Sequence, residues 1–100
     1  MDARRAVADL KEEIVSLRRD LHMHPETAFT EERTAALIAR RLRGLGYTVR
    51  EKVGRTGVVA LLETGEPGPT LAIRADIDAL PIQEVPGRPY GSRVAGKMHA

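Results

Sequence analysis

The chain has no cysteine and no tryptophan, and its aromatic residues are only Phe29, Tyr47 and Tyr90, 3% of its 100 residues. Without cysteine there is no disulfide framework, so stability rests on a buried core. With so few rings that core is aliphatic and alanine-rich, and a surface that stacks nucleic-acid bases is excluded. No apolar run approaches the ~20 residues that a membrane-crossing helix needs. Met1-Asp2-Ala3-Arg4-Arg5 opens a charged amphipathic pattern and not a signal-peptide core. Neither sign of charge dominates: 16 basic against 14 acidic residues give a formal +2. The cations alternate with Glu and Asp along both helical segments, the pattern of a solvated, ion-paired face and not of a nucleic-acid interface. The glycines lack the spacing and the lysine of a phosphate-binding loop. Neither Ser16 nor Ser92 stands in a nucleophile-elbow context. The expectation is a cytoplasmic protein with no nucleic-acid and no membrane partner.

What is present is a helical first half and an extended second half. Val7, Leu10, Ile14, Leu17 and Leu21 recur at steps of three and four, which predicts an amphipathic helix over about 3–22. Pro25 bars its continuation. Thr30 is the expected N-cap of a second helix, about 30–45, with Glu31 and Glu32 in its first turn and Ala35, Ile38, Leu42 and Leu45 on its buried stripe. Gly46 is the expected left-handed stop. Strands follow at about 47–52, 58–63 and 70–75, the last apolar on both faces and so expected at the centre of a sheet. Residues 79–100 read as a loop.

Chemistry concentrates where the third expected strand ends, in Arg74-Ala75-Asp76-Ile77-Asp78-Ala79-Leu80-Pro81. On an extended backbone residues two apart point to one side, so Asp76 and Asp78 lie together. Like charges so placed raise one another's pKa unless a cation, a metal or an imidazole intervenes. The ordinary reading is that one caps a turn and the other pairs with Arg74. His99 is the nearest imidazole in sequence. His22-Met23-His24, with Glu26 beside it, has the residue types of a metal site, but histidines at a helix C-terminus also simply suit the dipole.

Three separated segments then match one family in order and spacing: His22-Met23-His24-Pro25-Glu26, the run from Arg74 to Pro81, and Gly96-Lys97-Met98-His99-Ala100. The chain resembles the metal-dependent amidohydrolases that deacylate N-acyl amino acids, the aminoacylase, hippurate hydrolase and auxin-conjugate amidohydrolase group of the dinuclear-zinc peptidase clan. The resemblance implies an α/β fold, here the incomplete N-terminal part of a three-layer catalytic domain with two helices followed by three strands of a mixed sheet. It implies hydrolysis of the amide bond in N-acyl amino acids or related small conjugates by water activated on a divalent metal, zinc or manganese. Asp78 matches the family's aspartate that orients and polarises an active-site group, and is the catalytic position within this chain. Asp76 occupies the place where related peptidases carry a metal-binding histidine. Asp76 and His99 are both expected to support the centre from behind its ligands. The family's metal-binding cysteine and the histidine after it follow the Met-His-Ala motif, so no metal ligand and no bound metal are expected within residues 1–100, and the chain alone is expected to be inactive. The expected partners are a small N-acyl amino acid substrate and a second copy, through homodimerisation or self-association. An alternative reading of the same residues is a non-catalytic α/β interaction module, with the helices as a docking surface.

Overall fold

A computed structural model describes residues 1–100, with helices α1 (Ala3–Asp9), α2 (Lys11–Met23) and α3 (Glu32–Gly44) and strands β1 (Thr48–Val53) and β2 (Gly57–Leu61). The chain divides into two compact units, Met1–Pro25 with Ala79–Ala100, and Glu26–Asp78. No helix is long and apolar enough to cross a membrane.

In the first unit, Asp2 caps α1 by accepting the backbone N–H groups of Arg4 and Arg5 at 3.0 and 3.3 Å. The single helix expected over 3–22 is instead two. Leu10 N–H donates to the Val7 carbonyl three residues back, a tighter turn, and Leu10 then accepts from Ile14 to open α2. Nothing covers the apolar stripe where the break occurs: Val7, Leu10 and Ile14 are exposed, whereas Leu17 and Leu21 further along are half-buried. A helix stripped of tertiary cover depends on its own weak propensity, and so tolerates the interruption. α2 stops at Met23, before Pro25, with His24 N–H donating to the Leu21 carbonyl.

The second unit is a helix on a hairpin. α3 buries Thr34, Ala35 and Ala39 and packs against both strands. Its C-terminus is a Schellman turn: Gly46 N–H donates to Arg43 and Tyr47 N–H to Leu42, both at 3.1 Å, with Gly46 at φ +92° where a side chain would be strained. β1 and β2 pair antiparallel, Thr48 opposite Leu61 and Arg50 opposite Val59. The register then slips, so that Val53 faces Gly57 across a bulge in which Lys52 has φ +57°. Gly57 is there because a β-carbon would collide with the Val53 carbonyl oxygen.

Two expectations change here. Thr30 does not cap α3, because its hydroxyl donates to the Thr27 carbonyl at 2.7 Å. Glu26, eight residues upstream of Thr34, does the capping: its Oε1 accepts the N–H of Thr34 at 2.6 Å and its Oε2 that of Arg33 at 3.0 Å. The third strand is also not formed. The only sheet has two strands, and residues 70–75 run exposed without a ladder, Leu71 at 84% and Ile73 at 88% of their full exposure. A strand exists only where its N–H and C=O groups meet a neighbouring backbone, and β1 and β2 pair with each other.

Candidate functional site

Asp76 and Asp78 close the helix–hairpin unit. Asp76 Oδ1 lies 3.0 Å from the Arg74 guanidinium, with both side chains largely in solvent. An ion pair so exposed contributes ~0–1 kcal/mol. Asp78 is exposed as well, and Ile77 between them is half-buried. The carboxylates are thus open to solvent on the Glu26–Asp78 side of the boundary.

His99 belongs to the other unit and is half-buried. Its position comes from a short antiparallel bridge in which Leu80 N–H donates to Met98 O at 2.8 Å and Met98 N–H returns to Leu80 O at 3.0 Å. Residues 79–100 are otherwise irregular, yet they are held by side chains. Ser92 Oγ donates within the segment, 2.6 Å from the Lys97 carbonyl and 3.0 Å from that of Val94. Gly96 N–H donates to Gln83 Oε1 at 2.6 Å.

The organising group of this segment is one that residue types alone did not single out. Glu84 sends Oε1 to His22 Nε2 at 2.7 Å and accepts the Ser92 N–H with Oε2. His22 is the most deeply buried large side chain, 1% exposed, and the Glu84 side chain is 9% exposed. The hydrogen bond from the Ser92 backbone, then the one from His22, hold the Glu84 carboxyl below the ordinary glutamate value against the opposing effect of burial; the Arg88 charge adds to them. An ionised carboxylate only accepts, so the His22 ring carries a proton on Nε2. The Tyr90 ring stands edge-on to His22 at 6.3 Å, and the Arg19 guanidinium lies over Tyr90 at 4.5 Å. A histidine fully buried at the end of an amphipathic helix was the only local signal, and its partner lies 62 residues away.

The metal reading of the His22–His24 cluster finds no support in the geometry. His22 is engaged by Glu84, His24 Nδ1 donates to the Asp20 carbonyl at 2.8 Å, and Glu26 is occupied as the α3 cap. Burial pulls the Glu26 carboxyl upward. The nearby Thr34 side chain, the Thr34 and Arg33 N–H groups and the Arg33 charge outweigh this, so that it sits below its ordinary value. The Thr34 hydroxyl has no hydrogen bond of its own, so the two N–H groups make the bonds that hold the carboxylate there. Nowhere do three His, Asp or Glu side chains converge to hold a metal ion. His22, His24 and Glu26 are thus each committed to another partner.

The segments His22–Glu26, Arg74–Pro81 and Gly96–Ala100 carry the resemblance to the amidohydrolases, and comparison with known proteins agrees. No protein-family model matches the chain. It is 55% identical over 89 residues to Bacillus subtilis YhaA, covering 89% of this chain and 22% of that protein. It is 43% identical over 94% of its length to the hippurate hydrolase of Campylobacter jejuni and 40% identical over 99% to an N-acyl-L-amino acid amidohydrolase of Geobacillus stearothermophilus, covering 24% and 27% of them. Among solved structures it superposes with a TM-score of 0.82 on Bacillus subtilis YXEP, a dinuclear metal binding peptidase of the M20 family, at 43% identity over 92% of this chain and 26% of that one. The chain thus matches amidohydrolases over nearly its whole length, and it spans about a quarter of the length of the curated relatives it matches.

Proposed function

We propose that the complete protein carrying this chain hydrolyses the amide bond of N-acyl amino acids or closely related small conjugates. The observation that supports this most is the 40% identity, over 99% of the chain, to an N-acyl-L-amino acid amidohydrolase, with hippurate hydrolase at a similar level. Both names describe an acyl group on an amino acid, and the amide between acyl carbon and amino-acid nitrogen is what they share.

Asp78 is the residue of this chain assigned to the reaction, as the carboxylate that orients a group at the reacting centre. Its exposure on the Glu26–Asp78 unit leaves it open to such a partner. Asp76 and His99 are assigned supporting roles, Asp76 with Arg74 as its ion-pair partner. A divalent metal, when bound in enzymes of this kind, polarises the carbonyl and lowers the pKa of water. No step is assigned to residues 1–100 through that metal. On this reading the 100-residue chain alone is inactive.

The test is a panel of N-acetyl and N-benzoyl amino acids offered to the complete gene product, with and without a chelator, and to the 100-residue chain. Release of free amino acid by the complete product alone supports the reading. No release from any member of the panel overturns it.

A further inference from the structure

We propose that Glu84 is a positioning residue, which fixes the Met98–His99 end of the chain by tying the loop that carries it to α2. The part concerning catalysis rests on the proposed hydrolytic function; the part concerning geometry does not.

A continuous path of hydrogen bonds runs from α2 to Met98. α2 presents His22 near its end, and His22 Nε2 meets Glu84 Oε1 at 2.7 Å. The other oxygen of the same carboxylate accepts the Ser92 N–H. Ser92 Oγ reaches the Lys97 carbonyl at 2.6 Å, and the next residue, Met98, exchanges two backbone hydrogen bonds with Leu80. Arg93 N–H donates to the Met23 carbonyl at 3.0 Å, a second tie between the loop and the same helix end. A loop of 22 residues has no helix or strand of its own to hold it. Its conformation must come from such fixed points, because ordering each loop residue costs backbone entropy.

Glu84 is the branch point because only a carboxylate supplies two acceptor oxygens in one plane, one for an imidazole N–H and one for a backbone N–H. Gly91 is also close to it: a β-carbon there would stand 3.3 Å from Glu84 Oε2. The groups facing the pair are few. Arg88 lies on the loop side, and Arg19 reaches it only through the Tyr90 ring. Glutamine keeps one acceptor oxygen in the same place and alanine keeps none, so the two substitutions separate the bond to Ser92 from the space the side chain fills.

Hydrogen exchange read by mass spectrometry on the 100-residue chain tests the geometry. Glu84→Ala should speed exchange at least tenfold in peptides covering 79–83 and 92–100, while hairpin peptides covering 48–61 stay unchanged. Glu84→Gln, with one acceptor oxygen in place of two, should restore only part of the protection at 92–100. Ser92→Ala, which keeps the N–H to Glu84 but cuts the tie to Lys97, should loosen 97–100 and leave 84–90 as it was. Unchanged protection at 92–100 in both Glu84→Ala and Ser92→Ala overturns the proposal. So does a loss spread equally over the hairpin in all three variants. In the complete protein, Glu84→Ala should lower kcat on an N-acyl amino acid about 10- to 100-fold with KM nearly unchanged, and Glu84→Gln should recover part of it. A change confined to KM refutes the catalytic part. Absence of hydrolysis by the unmutated protein refutes the functional reading instead, and the exchange result then decides the geometry alone.

Discussion

Replacing Glu26 by alanine removes the cap of α3 without touching its buried face. The carboxylate accepts the N–H groups of Thr34 and Arg33 at 2.6 and 3.0 Å, and Thr34 is one of the most buried residues of the unit. Loss of a cap costs ~1 kcal/mol, and a buried N–H left without a partner costs ~1–3 kcal/mol. The expected destabilisation is therefore about 2 kcal/mol. For a small domain this lowers the thermal midpoint by roughly 10 °C, and the urea midpoint by on the order of 1 M with the slope unchanged. Glu26→Gln, which keeps one acceptor oxygen, should cost about half as much. The pH dependence has a definite sign. The native carboxyl lies below its ordinary value, so its stabilisation is fully present above about pH 4.5 and is lost as pH falls through the lowered native pKa. Urea unfolding followed by far-UV circular dichroism at pH 7 and again near pH 2 should show the gap between wild type and Glu26→Ala shrink in acid. Equal midpoints at pH 7, or a gap that widens in acid, would refute the reasoning.

Gly57→Ala forces a β-carbon onto the Val53 carbonyl oxygen and should cost about 1–3 kcal/mol, whereas Gly44→Ala, which meets nothing, should be neutral or stabilising; thermal midpoints of the two variants check this. The 100-residue chain exposes Leu71 and Ile73 on a segment outside the sheet, a surface expected to bring copies together. Sedimentation should show concentration-dependent association that Leu71→Lys with Ile73→Lys abolishes, and a wild-type chain that stays monomeric at every concentration would count against it.

What the sequence revealed and what it hid divide by range. Gly46 and Pro25 act on their own neighbours, and the stops of α3 and α2 could be read directly from them. The hairpin was legible from the change to extended, glycine-punctuated sequence after Gly46. The cap of α3 was not, because capping rules inspect the residue just before the helix, and here the acceptor arrives from Glu26 while Glu31 is drawn to the Thr56 hydroxyl. Residues 70–75 carry the composition of a strand, but composition cannot supply a neighbouring backbone. His22–Glu84 spans 62 residues and follows from no periodicity. Within the candidate site, the pairing of Asp76 with Arg74 was foreseeable at two residues' separation. The role given to Asp78 rests on family resemblance, since its exposed carboxylate makes no contact that would mark it.

The proposal with most at stake is that the complete protein cleaves N-acyl amino acids with Asp78 at the reacting centre. Its most direct test is the rate of free glycine release from N-benzoylglycine and N-acetylglycine by the complete gene product and by its Asp78→Asn variant, which keeps the shape and removes the charge. The account predicts hydrolysis of at least one of the two by the unmutated protein and a fall of about 100-fold or more in kcat for the variant. No hydrolysis of either, or an Asp78→Asn protein as fast as the original, would contradict it.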